Sequence, residues 1–378
     1  MKEPQHSNTA DSISDSISDS NVEFFDTIVI GAGQTGLSIG YNLTKKMQSF
    51  IIIDANKRIG DSWRNRWDSL KLFTPAYMDN LEGLKLPGKK HGFISKDEMA
   101  DYLEKYAVHF NLPIRSNVRV TSLYKKGGHF ILATENKLYE SKNVIVAMSS
   151  DQDPKIPKFA KDINPSITQL HSKEYKNTSQ LKKGTVLIVG AGNSGADIAM
   201  DVVKKHTTFI SGRDVGHLSY RIETFFARYI RIKLEKFIFH HFLTTNTVWG
   251  RKLKPKMISK GGLLVRVKPI DFIEAGIERL PKVVAVKNGL PVLEDGRIIE
   301  VDNIIWCTGY HPGFSWIDLP VFDEINEPKQ LRGVVEIQAG LYFVGLRFLF
   351  GVTSHWIDGM QRDAKYIVKQ IVKNSFKK

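Results

Sequence analysis

Short apolar runs rich in β-branched residues alternate with amphipathic stretches along much of this chain. Two of these runs, residues 26–30 and 186–189, are each followed by a glycine-rich turn and then by a segment with helical spacing. A further apolar run follows each segment, at 50–54 and at 207–210. Uninterrupted apolar runs are typical of parallel strands that are buried on both faces. The pattern therefore predicts two separate strand–turn–helix–strand units.

The segments around these units indicate how the chain is divided. The sequence predicts a helix near 96–110, a meander of strands near 118–124, 130–134 and 144–147, a linker around 154–157, strands at 301–310 and 340–345, and a final helix over 358–372. The predicted fold class is α/β, with two Rossmann-like dinucleotide-binding domains, the second inserted into the first. The predicted boundaries are a disordered tail at 1–22, a first domain formed by 23–160 and 303–378, and a second domain at 161–302 with a helical insertion at 218–250.

The first glycine-rich turn has the residues that a dinucleotide-binding turn requires. Its first glycine permits the tight turn, the second lets backbone approach a pyrophosphate, and the third lets the helix pack on the strand. Asp54 ends the next strand, where a carboxylate bonds a ribose 2′-hydroxyl and repels a 2′-phosphate. The unit should hold FAD or NAD rather than NADP, and its place near the N-terminus favours FAD. The predicted site comprises Gly31, Ala32, Gly33, Gln34, Thr35, Gly36 and Asp54.

The second turn repeats the glycine spacing but not the acidic residue. Where the first unit has its carboxylate, this unit has Ser211 and Arg213. A hydroxyl and a guanidinium can both bond a 2′-phosphate, and arginine adds a permanent charge. We therefore predict that the second domain binds NADPH in preference to NADH. The predicted site comprises Gly190, Ala191, Gly192, Asn193, Ser194, Gly195, Ser211 and Arg213.

Composition restricts the class of protein. Of 378 residues, 42% are hydrophobic and 25% are charged, as in ordinary globular proteins. The net charge is +14, but the basic residues are scattered and no nucleic-acid-binding module is recognisable, so we expect no nucleic-acid partner. Cys307 is the only cysteine, which excludes a CxxC redox pair. No metal-ligand cluster, secretion signal or membrane-spanning apolar run is recognisable, so a cytoplasmic location is the default expectation.

The predicted insertion is unusually aromatic and basic. Its apolar residues follow helical spacing, with arginines and lysines between them. These apolar residues are Ile222, Phe225, Phe226, Tyr229 and Ile230, followed by Phe237, Phe239 and Phe242. Three interpretations remain open: the helix packs on the second domain or at a homodimer contact, it lines a substrate entrance, or it makes peripheral contact with an anionic membrane.

Several motifs together resemble one enzyme family. They are GAGQTG, GDSWRNRWDSLKL, His171-Ser-Lys-Glu-Tyr175, GAGNSGADIA, Cys307-Thr-Gly-Tyr310 and GLYFVG. Over 23–375 the chain resembles the flavin-containing monooxygenases, in particular the bacterial and YUCCA-like branch. The resemblance implies FAD, NADPH, O2 and a small-molecule substrate, with a C4a-hydroperoxyflavin delivering one oxygen atom to a nitrogen, sulfur or carbonyl centre. It also implies that Trp63 and Arg64 pack beside the flavin.

The same resemblance leaves the catalytic residues open, because the flavin carries the chemistry. The candidates are His171, in the linker motif, Phe73, which aligns with a flavin-side position, and His355, before the final helix. Pro165, Ile167 and Met148 depart from the family's motifs. An FAD-dependent NADPH oxidase or reductase without a stable oxygenated flavin is therefore an alternative. A non-catalytic flavoprotein sensor is another.

Overall fold

The computed structural model describes residues 22–88, 90–259 and 262–375. The predicted tail at 1–22 lies outside the described residues except for Val22, which is the first residue of a strand. Within the described residues, the strands form two larger sheets and two short ribbons. Helices connect strands along the chain in both larger sheets. The α/β fold class predicted from the sequence is confirmed.

The elements are numbered here in chain order. The strands are β1 (Val22–Ile30), β2 (Phe50–Ile53), β3 (Ile114–Arg115), β4 (Val120–Lys126), β5 (His129–Thr134), β6 (Leu138–Val146), β7 (Asp153–Pro154), β8 (Thr168–His171), β9 (Val186–Val189), β10 (Thr208–Ser211), β11 (Glu278–Leu280), β12 (Val283–Lys287), β13 (Leu290–Leu293), β14 (Asn303–Trp306), β15 (Tyr310–His311) and β16 (Leu341–Phe343). The α-helices are α1 (Gln34–Lys45), α2 (Asp61–Arg64), α3 (Lys96–His109), α4 (Asn193–Val202), α5 (Ile232–His241), α6 (Val248–Ser259), α7 (Pro269–Glu274) and α8 (Ile357–Ser375).

The first sheet draws on both ends of the described chain. Its strands lie in the order β3-β2-β1-β6-β5-β4, and the late strand β16 pairs with β6. β1 is parallel to β2 and to β6, whereas β4, β5 and β6 form the predicted antiparallel meander. The final helix α8 packs on α1, the helix that follows the first glycine-rich turn, and buries Met360, Ala364 and Ile367. The C-terminal part of the chain therefore completes the first unit.

The second sheet is parallel throughout, with the strand order β11-β10-β9-β14-β8. Its strand β14 corrects one predicted boundary. Asn303–Trp306 were assigned to the first domain, but they pair with β8 and β9 in the second sheet. The apolar pattern of this strand could not predict its sheet, because an apolar strand fits either sheet equally well.

The two connections between the sheets pair with each other. β7 and β15 form a short antiparallel ribbon in which Tyr310 lies opposite Pro154 and His311 lies opposite Asp153. The chain thus crosses between the units near 153–154 on the way out and near 310–311 on the way back. The other domain boundaries stay predictions.

The insertion is helical, as its apolar spacing predicts, and it is longer than 218–250. A π-helical turn at Ala227–Arg231 leads into α5, and α6 continues to Ser259. Among the described residues, no helix has the length and apolar character needed to span a bilayer. Ile222 and Ile232 are buried against Met78, so the insertion packs on the irregular segment that follows α2.

Candidate functional site

Both glycine-rich turns end in helix N-termini that carry no capping side chain. α1 follows Gly33 and α4 follows Gly192, and neither helix has an acidic residue in its first turn. In α3, by contrast, the Ser95 side chain accepts a hydrogen bond from the Glu98 N–H. The first N–H groups of α1 and α4 therefore remain available, and the helix dipole makes each turn attractive to a phosphate.

The glycines of each turn divide into tightly packed and open positions. A β-carbon at Gly36 would lie 1.8 Å from the Gly31 carbonyl oxygen, and one at Gly195 would lie 1.8 Å from the Gly190 carbonyl oxygen. The middle glycines differ, because a β-carbon at Gly33 or at Gly192 would meet no atom of the described residues within 4 Å. Only the middle glycine of each turn thus faces open space, where a pyrophosphate would lie against bare backbone.

Asp54 lies directly beside the first turn. Its Oδ2 atom accepts a hydrogen bond from the Ala32 N–H at 2.6 Å, and its Oδ1 atom accepts one from the Asn56 N–H at 2.7 Å. These two bonds fix the carboxylate at the carboxyl edge of the sheet. Oδ1 also accepts from Asn56 Nδ2 at 2.8 Å, which uses its second lone pair. Oδ2 retains a lone pair for a ribose hydroxyl donor, so the geometry suits an adenosine ribose and disfavours a 2′-phosphate.

Of the two α2 residues predicted to lie beside the flavin, only Trp63 contacts the first turn. Its indole Nε1 donates to Gln34 Oε1 at 3.3 Å. The Arg64 guanidinium instead bonds the Ile59 carbonyl at 2.6 Å and the α3 carboxylates Asp101 at 2.9 Å and Glu104 at 3.2 Å. Arg64 therefore joins α2 to α3, and the structure gives its charge no role at the glycine-rich turn.

At the second turn, Asn193 holds a neighbouring loop. Its Nδ2 donates to the Leu263 carbonyl at 2.9 Å, and its Oδ1 accepts from the Val265 N–H at 3.1 Å. Arg266, one residue further on, donates to Asp197 of α4 at 2.6 Å. Sequence reasoning missed this loop, because nothing in its local pattern shows that it lies along α4.

The structure corrects the role predicted for Ser211. Its side chain is fully buried, donates to the Pro281 carbonyl at 2.6 Å and accepts from the Val283 N–H at 3.1 Å. Because its only donor is used, the hydroxyl cannot bond a 2′-phosphate. Arg213 is exposed and makes no ion pair within the described part of the chain, so its charge remains available to an anion.

A chain of contacts connects the two turns. Gly190 packs against the Cys307 backbone, since a β-carbon there would lie 2.2 Å from the Cys307 carbonyl oxygen. Three residues later, the Tyr310 hydroxyl accepts a hydrogen bond from Arg66 Nη1 at 2.9 Å. Arg66 follows α2, which contacts the first turn through Trp63. The two predicted dinucleotide sites are thus joined through the segments 63–66 and 307–310.

His171 supports this connection and has no nitrogen left for catalysis. It is fully buried, its Nε2 lies 3.1 Å from the Gly309 carbonyl oxygen, and its Nδ1 accepts from the Lys173 N–H at 3.1 Å. Its ring packs edge-on against Tyr310 at 5.0 Å. Burial lowers the pKa of His171, which keeps the ring neutral. These contacts make His171 a link to the Gly309 backbone at the connection between the two sheets.

The other two candidates, His355 and Phe73, are exposed. His355 is exposed at the end of a 3-10 turn before α8. Desolvation by neighbouring protein atoms and, to a smaller extent, the Arg347 guanidinium lower the pKa of His355. Phe73 is 39% exposed on the irregular segment after α2. The structure assigns neither residue a partner that defines a role.

Comparisons with known proteins agree with this arrangement. A family model described as pyridine nucleotide-disulphide oxidoreductase matches residues 28–245. The uncharacterized oxidoreductase CzcO of Bacillus subtilis is 39% identical over 350 residues, covering 92% of this chain and 99% of that protein. The probable indole-3-pyruvate monooxygenase YUCCA7 of Arabidopsis thaliana is 26% identical, covering 93% of this chain and 88% of that protein.

A solved structure shows the same fold. The flavin-containing monooxygenase from Stenotrophomonas maltophilia superimposes with a TM-score of 0.76 at 23% identity, covering 93% of this chain and 99% of that chain. The match confirms an α/β architecture with two Rossmann-like domains. The matched family uses FAD and NADPH, so the cofactors predicted from the sequence are confirmed at the level of the family.

Proposed function

Because the chain belongs to the pyridine nucleotide-disulphide oxidoreductase family, we propose that it is an NADPH- and O2-dependent flavoprotein monooxygenase. It transfers one oxygen atom to a nitrogen, sulfur or carbonyl centre of a small molecule. The second oxygen atom leaves as water, with NADPH and a proton supplying the reducing equivalents. The observation that carries the proposal is that a chain with two dinucleotide-binding turns has a single cysteine, and therefore no redox pair of cysteines.

Cys307 cannot take part in an internal dithiol–disulfide relay, because the sequence contains no second cysteine. It also lies behind the second glycine-rich turn, and burial raises the pKa of its thiol to about 12. A protonated thiol is a poor nucleophile and a poor electron relay. Electrons that NADPH delivers to the flavin therefore have no acceptor among the thiols of this chain. In the proposed reaction they pass to O2, which reaches the flavin from solution.

The residues at the two turns fit these cofactors. Gly33 and Gly192 provide open backbone for the pyrophosphates, while Asp54 and Arg213 provide opposite charges for the two ribose groups. Bound FAD would supply hydride acceptance and reaction with O2, and the protein would supply binding, orientation and restricted access of water. The relative named as a probable indole-3-pyruvate monooxygenase supports oxygen transfer as the outcome.

Rapid mixing of the purified, FAD-loaded protein tests the proposal. The flavin is first reduced with NADPH without oxygen and is then mixed with O2 while its absorbance and the yield of hydrogen peroxide are followed. A monooxygenase should give an absorbance transient that differs from both oxidised and reduced flavin and outlasts mixing. Candidate substrates should then take up one 18O atom from 18O2. Direct return to oxidised flavin with one peroxide per NADPH would overturn the proposal.

Direct return to oxidised flavin would support an NADPH oxidase or reductase. The backbone beside the first turn is the observation that favours this alternative. The turn after β6 places Ser149 at φ 68°, a conformation that glycine adopts more readily, and the preceding Met148 backbone abuts Gly31. This departure from the family's motif lies beside the first turn. A changed backbone there would alter the surroundings of the flavin.

A further inference from the structure

The insertion presents a large apolar surface to solvent. We call this surface the outer face, and its side chains are between 39% and 77% exposed. It consists of Phe225, Phe226, Tyr229, Ile230, Leu234, Phe237, Ile238, Phe242, Val248 and Trp249. Monomeric proteins rarely expose so many large apolar residues side by side, and such patches mark interaction surfaces.

Helical spacing aligns part of the outer face in one stripe. Phe226, Ile230, Leu234 and Phe237, at intervals of four, four and three residues, lie along this stripe from the residue before the π-helical turn into α5. Within α5 the buried residue is Ile232, which packs with Met78 and with Ile222 of the preceding turn. An ordinary surface helix turns its larger apolar side to the core. Here the larger side faces outward.

The outer face is surrounded by positive charge. Residues 221–256 contain nine lysines and arginines but only two acidic residues. Several of the basic side chains are tied to carboxylates of the protein, such as Arg231 to Glu235 at 3.0 Å. Lys233, Arg251 and Lys252, in contrast, are exposed on α5 and α6 beside the apolar residues.

The exposed apolar residues and the positive charge around them together indicate what the outer face binds. A second copy of the chain would bring two such positive surfaces together, because a two-fold interface pairs a patch with itself. An anionic bilayer instead offers an apolar layer for the aromatic residues and negative headgroups for the lysines and arginines. We propose that the outer face docks on the surface of an anionic lipid bilayer and anchors the protein there without spanning it.

Co-sedimentation of the FAD-loaded protein with sucrose-filled vesicles tests the proposal. Vesicles of phosphatidylcholine with 30% phosphatidylglycerol are compared with vesicles of phosphatidylcholine alone, at about 0.1 M and 0.5 M NaCl. The wild-type protein should partition at least about tenfold more strongly onto the anionic vesicles at low salt. That preference should shrink at high salt.

Two variants separate the contributions. The triple variant Phe226→Ser/Leu234→Ser/Phe237→Ser should reduce partitioning onto anionic vesicles at least about tenfold. Its matched control, Val108→Ser/Ile325→Ser/Ile337→Ser, changes apolar side chains that are 63% to 74% exposed elsewhere and should bind like wild type. Lys233→Glu/Lys252→Glu should remove the preference for anionic over neutral vesicles. Its matched control, Lys46→Glu/Lys126→Glu, makes the same change of charge at exposed positions elsewhere and should keep more of that preference than the first variant does.

Circular dichroism and flavin absorbance establish that each variant is folded and loaded. Equal binding to both kinds of vesicle, or no binding to either, would overturn the proposal. The mass in solution, measured by light scattering, identifies the competing occupant: a wild-type dimer that the triple serine variant dissociates would assign the outer face to a second copy. None of these readouts depends on whether the enzyme transfers oxygen.

Discussion

At the scale of single residues, Arg213 is the positive charge that we propose for the second dinucleotide site. It is exposed and has no acidic partner among the described residues, whereas the neighbouring Ser211 hydroxyl is fully used by backbone. The sequence predicted both residues as phosphate ligands, because both have suitable chemistry. The position of Pro281 and Val283 against Ser211 depends on contacts made some 70 residues away, which no local pattern contains.

We therefore expect Arg213→Ala to impair the use of NADPH alone. Loss of one charge-assisted bond at an exposed site should raise the KM for NADPH about tenfold and leave kcat nearly unchanged. The KM for NADH, which lacks the 2′-phosphate, should stay within about twofold. Steady-state NAD(P)H oxidation by the FAD-loaded enzyme measures both. Lys205→Ala, which removes an exposed charge after α4, is the control, and an equal loss with NADH would refute the role of Arg213.

A second residue-scale feature is the buried Asp79, which is 1% exposed and accepts a hydrogen bond from Thr74 at 2.6 Å. Burial raises the pKa of this carboxyl to about 7, and the nearby Asp358 adds to the effect. Because the folded-state pKa lies above the unfolded value of 3.8, the folded protein binds the proton more tightly. The resulting stability is fully present below about pH 4 and is lost as pH rises to about 7.

Asp79→Asn should remove this pH dependence. Relative to wild type, the variant should gain free energy of unfolding as pH rises from 4 to 8, by no more than about 4 kcal/mol. Urea unfolding at several pH values measures the difference. Glu324→Gln, at an exposed position, is the control and should follow the wild-type profile. A constant difference between Asp79→Asn and wild type at all pH values would contradict the shifted pKa.

At the scale of elements, the sequence predicted best where a short motif sets the geometry. The strands before both turns, the helix at 96–110, the first two strands of the meander and the final helix lie within a few residues of their predicted positions, whereas β6 begins six residues before its predicted start at 144. The glycine spacing specifies a tight backbone turn whatever the surroundings. Arg64 shows where such reasoning ends, because its guanidinium pairs with α3 carboxylates 37 and 40 residues away.

The two middle glycines provide a matched pair of element-scale tests. Since a β-carbon at Gly33 or Gly192 would meet nothing within 4 Å, alanine at either position should leave the fold intact. The methyl group would occupy the space of a pyrophosphate. We expect Gly33→Ala to weaken FAD binding at least about tenfold, and Gly192→Ala to raise the KM for NADPH similarly while FAD stays bound.

Flavin fluorescence titration and steady-state kinetics separate the two effects, with circular dichroism as the test of folding. Gly36→Ala is the structural contrast, because its β-carbon would lie 1.8 Å from the Gly31 carbonyl oxygen and should disrupt the turn itself. If Gly33→Ala bound FAD as wild type does, the first turn would not be the FAD site.

At the scale of the whole molecule, the sequence predicted an inserted second domain, but it did not predict the contacts that join the two domains. The inserted arrangement could be predicted because the late apolar run at 340–345 is typical of a buried strand, and this strand, β16, pairs with β6 in the first sheet. The contacts between the halves could not be predicted, since Arg66 and Tyr310 are 244 residues apart and neither lies in a recognisable pattern with the other. The same holds for β14, which an apolar pattern alone cannot assign to either sheet.

The Arg66–Tyr310 contact leads to a prediction about the relative placement of the two halves. Tyr310 accepts a hydrogen bond from Arg66 at 2.9 Å and packs on His171, which in turn bonds the Gly309 carbonyl. Hydride transfer depends steeply on the distance between nicotinamide and flavin, and this contact lies where the chain returns from the second unit to the first. Tyr310→Phe keeps the ring but removes the hydroxyl acceptor. We expect it to slow NADPH-driven flavin reduction about fivefold, the equivalent of one hydrogen bond, with FAD affinity unchanged.

Anaerobic rapid mixing with NADPH measures that rate, and flavin fluorescence measures FAD affinity. Tyr124→Phe, which removes a hydroxyl from the outer strand β4, should reduce its flavin at the wild-type rate. Arg66→Met should reproduce the Tyr310→Phe rate, and the double variant should be no slower than either single variant, because both remove the same bond. Additive losses would mean that the two residues act separately and that the connection between the halves lies in the β7–β15 ribbon instead.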